Sequence, residues 1–424
     1  MAQETDQGSQ PRPDDVTIVG AGIVGICSAL ALQERGLSVT VIDRDEPGQA
    51  TSYGNAGIVS PWSCVPQSMP GIWRSVPGWL LDPEGPLRVR VRELPKLMPW
   101  IARFFANTRL RRVHEISNAM DMLMQGNIEA YQHLLKGTGR EALLQHSWFI
   151  NVFRGRRQPD LSELSWQLRM GRGAPVEIVD GRELREIEPE LSPQVAQAVI
   201  VKGQARALAP GEICRALAEK MRRQGANFLR CDVKSLRPNE DGSIELETDR
   251  GLIATNKLVL CGGVWSVELL EPLGIQLPLV SERGYHLEFS EPGVRLNHSI
   301  LDVSGKFIIS SMEGGVRSAG TSEFADVGAP PNYRRADILA PMSKRLIPRL
   351  NTAQSRRWVG ARPSFPDSLP VIGRLAGIRN LYGAFGHSHY GLGMAPATGR
   401  IVAESIEGSK SNLDRSCVSA ERFL

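Results

Sequence analysis

The sequence predicts an α/β fold, α+β overall, with one strand–helix–strand unit joined to a second domain of mixed or antiparallel sheet with packed helices. Three observations predict it. Residues 16–43 run strand, glycine-rich turn, helix and second strand; residues 203–232 return to the same α/β rhythm; residues 277–317 are dominated by short β patterns. At 424 residues, the chain is long enough for about two to three domains.

The first unit is the most specific. Val16-Thr17-Ile18-Val19 is a buried strand, and Gly20-Ala21-Gly22-Ile23-Val24-Gly25 fits G-x-G-x-x-G. A helical run stops at Gly36, and Ser38 to Ile42 leads to Asp43. Gly20 permits the tight turn, Gly22 lets backbone approach a pyrophosphate, and Gly25 lets helix and strand pack closely. The helix then offers free N–H groups and its positive dipole end, and Asp43 can accept a ribose hydroxyl. This is a Rossmann-like dinucleotide site. Next, Thr51 to Ser60 supplies small residues suited to lie against a flat ligand, and Asn55 offers donors and acceptors.

Residues 62–112 are rich in Pro, Trp and Arg, and between Arg88 and Arg112 eight basic residues accompany one acid, Glu93. Arginines interleaved with aromatics suit either an interfacial membrane helix or a packed helix with a solvated basic face. Helical patterns continue to about 145, followed by a strand at Trp148–Phe153 and a helix at about 160–171. Pro210-Gly211 opens a helix that runs to Arg223; Ala226-Asn227-Phe228-Leu229 begins a strand, and Asp241-Gly242 turns a hairpin. Leu258-Val259-Leu260-Cys261-Gly262-Gly263 is an apolar strand ending in a double glycine, which places backbone beside a cofactor at a sheet edge. Residues 331–350 read as helical, and Pro396 reads as the first turn of a last helix.

Composition excludes several classes. A hydrophobic fraction of 42% with 23% charged residues is that of a soluble globular chain, and a net charge of +4 does not argue for nucleic acid. No stretch is apolar enough for a transmembrane helix, and residues 1–13 read as a disordered lead-in without a signal-peptide core. The six cysteines form no C-x-x-C pair, so buried free thiols in a cytoplasmic setting are expected.

These pieces, in this order, resemble the flavin-dependent D-amino-acid oxidase superfamily. The resemblance spans Val16 to about Gly408 and rests on the Gly20–Gly25 turn, Ser52–Ser60, Cys261-Gly262-Gly263-Val264-Trp265-Ser266, Gly360–Asp367, and Gly386 through Ala397-Thr398-Gly399. Asn55-Ala56-Gly57 and the Pro- and Trp-rich stretch are similar to bacterial D-amino-acid dehydrogenases, while Arg283-Gly284-Tyr285-His286 resembles dehydrogenases acting on D-proline or hydroxy-D-proline. The resemblance implies non-covalent FAD, since no cysteine lies near Arg362 where sarcosine oxidases attach their flavin. Its nucleotide end would be held by Gly20, Ala21, Gly22, Ile23, Val24, Gly25, Asp43 and Arg44, with the Val233 backbone at adenine and Gly262 and Trp265 alongside. Asn55, Ala56 and Gly57, and Gly386, His389, Gly391, Leu392 and Gly393, would flank the flavin ring. A helix opening at Ala395-Pro396 would aim its positive end at the pyrimidine side.

On the substrate side, Arg362 matches the family's carboxylate-binding arginine, its planar fork suiting a carboxylate; a structural ion pair is the plainer alternative. Tyr285 is the next candidate, with a core aromatic as its alternative. His387-x-His389 invites a metal, but no third ligand of matching spacing appears, so no metal is expected and His387 is assigned to polarising flavin or substrate. The resemblance implies oxidative deamination: hydride leaves the α-carbon of a D-amino acid, and the imino acid becomes a 2-oxo acid and ammonia. Electrons would pass to a quinone or carrier protein, with peripheral contact at the inner face of the plasma membrane. The alternatives are a cyclic imino-acid dehydrogenase, a glycine- or sarcosine-type oxidase using oxygen, a plain NAD enzyme, and a non-catalytic dinucleotide-binding protein. The expected division is discontinuous: 14–60, 185–270 and 355–424 around FAD, with 61–184 and 271–354 around substrate.

Overall fold

The structure, a computed structural model, describes residues 15–154, 158–375, 377–409 and 414–423; the lead-in at 1–13 lies outside them. The glycine turn sits at the centre of a six-stranded sheet. Its order is Val371–Arg374, Leu381–Phe385, Lys257–Leu260, Asp15–Val19, Ser38–Asp43 and Asn227–Arg230. Neighbours run parallel except the first two, which are antiparallel. Strands this apolar are covered on both faces, as parallel sheets require. The helix Ile23–Gln33 packs against Pro210–Arg223 and Gly391–Glu407. A Cβ on Gly399 would come within 2.5 Å of the Cys27 carbonyl oxygen, so the first and last helices cross with backbones in near contact.

The larger sheet has ten strands and is mixed, as expected of the second domain. Its main path is Ser355–Ser364, Val280–Phe289, Gly315–Phe324, Phe307–Met312, Ser299–Asp302, Leu144–Arg154, Val195–Ala207 and Ile58–Val59. Leu87–Val89 and Val176–Asp180 pair onto it from the side. Val195–Ala207 and Ser355–Ser364, both expected around the cofactor, are therefore strands of this sheet. A separate three-stranded antiparallel sheet, Val233–Pro238, Ile244–Thr248 and Gly251–Thr255, contains the expected hairpin. The six cysteines are free, five of them buried.

The last helix corrects one expectation. It begins at Gly391, not at Ala395-Pro396, so Pro396 lies inside it. A proline there leaves the carbonyl four residues earlier, on Leu392, without its helical donor. The buried Tyr131 hydroxyl supplies the replacement, donating to the Leu392 oxygen at 2.7 Å. The first turn of the helix thus extends to the cofactor-side loop. Tyr131→Phe strands that buried carbonyl and is expected to cost about 1–3 kcal/mol. Thermal unfolding reads the cost as a lowered Tm; an unchanged Tm would show that the hydroxyl is dispensable.

Candidate active site

At the nucleotide end, the turn is built by contacts that only glycine tolerates. Gly20 has φ of 114°, and a Cβ there would sit 2.4 Å from the Cys261 carbonyl oxygen. A Cβ on Gly25 would sit 1.9 Å from the Gly20 oxygen. Asp43 braces the same turn: its Oδ2 accepts the Ala21 N–H at 2.6 Å and its Oδ1 the Asp45 N–H at 2.9 Å. Burial raises the Asp43 carboxyl above its ordinary value, with these two bonds opposing. Ser52 Oγ accepts the Ile23 N–H at 3.0 Å, tying the second small-residue loop to the helix start. Arg44 lies 4.1 Å over the Trp265 ring and 3.8 Å from Asp45.

From this turn a cavity of about 790 Å³ runs between the two sheets. Gly20, Gly22, Ile23, Val24, Asp43, Arg44, Val233, Gly262 and Trp265 line one end. Asn55, Ala56, Arg362, Gly386, His387, His389, Gly391, Leu392 and Gly393 line the other. Ala21, Gly25 and Gly57 do not reach it: the first two shape the turn, and Gly57 packs so tightly that a Cβ would meet the Ala207 oxygen at 2.4 Å. Asn55 acts on its own loop, its Oδ1 accepting the Gly57 N–H at 2.8 Å.

Arg362 and Tyr285 separate. Val280–Phe289 alternates, and its even positions face the cavity side. Glu282 lies opposite Arg362 in the register, and a Cβ on Gly284 would fall 2.2 Å from Arg362 Nη2, so the guanidinium rests on bare backbone. Arg362 Nη1 donates to Glu282 Oε1 at 3.2 Å and to Ser322 Oγ at 3.1 Å. Glu282 also accepts from Ser322 and Ser364. Burial raises its carboxyl, but Arg362, His389 and these hydroxyls outweigh it and hold it below the ordinary carboxylate value. Tyr285 occupies an odd position and points into the opposite core with Leu287 and Phe289. Its hydroxyl donates to Glu323 at 2.5 Å and accepts the Asn332 N–H at 3.0 Å, and it does not line the cavity. The expectation of Tyr285 at the carboxylate is corrected accordingly.

The histidines differ in company. His387 is buried, its Nε2 2.9 Å from Thr398 Oγ1, and desolvation pulls it down to about 3. His389 shows an open edge to the cavity, its Nδ1 3.0 Å from Gln67 Nε2; desolvation pulls it down to about 4, with Glu282 opposing. Among the described residues, no three or more His, Cys, Asp or Glu gather as a metal site.

Several residues here were not singled out in the sequence. Trp358 lines the cavity, stacked on His286 with centroids 4.8 Å apart, and its indole fills the space a Cβ would need at Gly54 and Gly360. Buried Arg317 pairs with Glu288 at 2.6 Å and donates to the Tyr53 and Asn55 carbonyls, fixing the loop beside the cavity. Glu282 had a legible signal: alternation through Gly284 places it on the glycine's face. Arg317 had none.

The cavity fits a dinucleotide bearing a flat ring system. Bare glycine backbone, a helix start and Asp43 line one end, and glycine loops with the Trp358 wall bound the other. A family model described as FAD dependent oxidoreductase matches residues 15–405. The chain is 35% identical over 421 residues to a D-amino-acid oxidase of Bradyrhizobium diazoefficiens, covering 98% of this chain and 100% of that one. It is 30% identical over 420 residues to a D-amino acid dehydrogenase of Rhizobium rhizogenes, covering 96% and 99%. Among solved structures, glycine oxidase from Geobacillus kaustophilus shares the fold with a TM-score of 0.73 at 22% identity, covering 97% of this chain and 99% of that one. With the model spanning nearly the whole chain and the glycine turn, acid and cavity all in place, this protein belongs to the FAD dependent oxidoreductase family of D-amino-acid oxidases.

Proposed function

We propose that this protein oxidatively deaminates D-amino acids and hands the electrons to a quinone or another carrier. The observation that carries the reading is Arg362, which enters from the larger sheet the same cavity that begins at the Gly20 turn. The names of the relatives above support the substrate class. Bound FAD supplies a two-electron acceptor for the hydride leaving the α-carbon. Arg362 has Nη1 committed to Glu282 and Ser322, which leaves its Nε and Nη2 edge for a bidentate bond to the α-carboxylate. Glu282 neutralises the guanidinium while substrate is away. Trp358 and the glycine loops exclude water around the α-carbon. The imine so formed is hydrolysed to a 2-oxo acid and ammonia.

Anaerobic titration of the FAD-loaded protein tests this. D-Alanine is expected to bleach the flavin bands and L-alanine to leave them; bleaching by neither D-alanine, D-proline nor glycine would sink the reading. The oxidase name of the Bradyrhizobium relative favours oxygen as a second acceptor, which rapid reoxidation in air would establish.

The histidines in and beside the cavity wall are not expected to change charge near neutral pH. His286 is pulled down to about 3 by burial and the Arg317 charge, and His387 and His389 are likewise depressed. A depressed imidazole takes its proton only at more acidic pH, so all three stay neutral above about pH 5. The acid limb of kcat/KM is therefore expected to follow the amine pKa of each substrate. A break near pH 6.5 shared by substrates of different amine pKa would refute it.

The carrier reading has support on the surface. Among the described residues, eight of the twelve exposed large hydrophobics fall between Trp73 and Leu110, including Leu81, Val91 and Met98. Exposed Arg92, Lys96, Arg103 and Arg109 are interspersed with them. No helix among the described residues is long and apolar enough to cross a membrane. An apolar patch ringed by cations suits an anionic lipid surface. The protein is expected to sediment with phosphatidylglycerol vesicles and release at high salt; equal recovery with phosphatidylcholine vesicles would discard the idea.

A further inference from the structure

Three arginines line the cavity, and they are not equivalent. Arg44 is 3.8 Å from Asp45, and Arg362 is 3.2 Å from Glu282. Arg169 has no carboxylate partner among the described residues. It sits in the last turn of Leu164–Met170, where Nη1 donates only to the Ser165 carbonyl of its own helix at 3.0 Å and the guanidinium lies 5.1 Å over the Trp166 ring. Its neighbour Arg172 faces elsewhere and is satisfied by Asn118 at 2.6 Å and Asp121 at 3.7 Å. A half-buried cation without an anion is costly, and such groups persist where a ligand completes them.

The position of Arg169 shows which ligand. It lines the cavity with Val65, Gln67 and Tyr390. The Tyr390 hydroxyl is spent on the Val65 carbonyl at 2.9 Å, and the Tyr390 ring lies 4.0 Å from the His389 ring. Both Arg169 and Glu282 act electrostatically on Tyr390, so the Arg362–Glu282 pair and Arg169 flank one short stretch of wall. A substrate held at Arg362 by its α-carboxylate would extend its side chain along His389 and Tyr390 toward the second guanidinium.

We propose that Arg169 binds a carboxylate on the substrate side chain, making dicarboxylic D-amino acids the preferred substrates. This rests on the amino-acid reading above. The holoenzyme is expected to favour D-glutamate over D-glutamine, its near-isosteric amide, by about 30-fold or more in kcat/KM. Arg169→Leu is expected to lower the ratio of kcat/KM for D-glutamate to that for D-alanine by a similar factor. Should that variant not fold, Arg169→Lys, which keeps the charge but loses the fork, is expected to lower the same ratio by about 3- to 10-fold. A binding readout needs no turnover: glutarate is expected to raise the Tm of the holoenzyme more than butyrate does, and the difference to vanish in Arg169→Leu. Equal use of D-glutamate and D-glutamine by wild type, or an unmoved ratio in the variants, overturns the proposal. Failure of every D-amino acid to bleach the flavin overturns the amino-acid reading instead, and the glutarate–butyrate difference still reports separately on Arg169.

Discussion

Replacing Arg362 by leucine is expected to lower kcat/KM for D-amino acids by about 30- to 5,000-fold, the loss of about 2–5 kcal/mol of charge-assisted binding. The effect is large because two groups are abandoned at once. The substrate carboxylate loses its fork, and Glu282, whose side chain is 5% exposed, loses the cation that balances it. Stability falls as well, since breaking a buried pair from one side leaves an uncompensated charge. The two losses are separable. Arg362→Leu combined with Glu282→Leu removes both partners, so Tm is expected to recover while activity does not. Arg362→Lys keeps the charge without the planar fork and should land between wild type and leucine. Wild-type kinetics in Arg362→Leu would remove this residue from the substrate site.

Gly25→Val is expected to abolish FAD retention. Its Cβ would lie 1.9 Å from the Gly20 carbonyl oxygen, a backbone atom that cannot swing aside, and the turn would have to open. Overpacking of this kind costs about 1–3 kcal/mol or more, and here it falls on the cradle itself. Gly78→Ala is the control: its Cβ meets nothing within 4 Å and it sits in the helix Val76–Leu81. The ratio of flavin to protein absorbance in purified material separates the two. A yellow Gly25→Val protein would show that the helix and strand need not pack this closely.

The sequence disclosed what is local. Strand, turn, helix and acid within residues 16–43 are fixed by chemistry between near neighbours, and they stand as read. The place of Arg362 at the cavity was legible because its flanking glycine and proline match a family pattern, although they read as turns and the structure puts them in the strand Ser355–Ser364. Tyr285 was misplaced because a strand shows its alternation but not which face meets the cavity, and Gly284 was the unread clue. The start of the last helix was misread because Pro396 obeys the first-turn rule only when nothing else supplies the missing donor, and Tyr131, 265 residues earlier, does so. Arg317 and Trp358 were invisible for the same reason, since their partners come from distant strands and loops; Arg169 has local contacts, and only the tertiary fold brings it to the cavity.

The order of strands in the six-stranded sheet has a consequence for biosynthesis. Asp15–Val19 and Leu381–Phe385 flank Lys257–Leu260 in this sheet, yet Leu381 follows Val19 by 362 residues of synthesis. At about 5–20 residues per second, the interval between them is roughly 20 to 70 seconds. The stretch of cavity wall from Ala384 to Gly393 is therefore made long after the glycine turn with which it shares the cavity. Asp15–Val19 is flanked on both sides once Lys257–Leu260 is made, and from then until Leu381–Phe385 arrives it is Lys257–Leu260 that presents an open apolar edge.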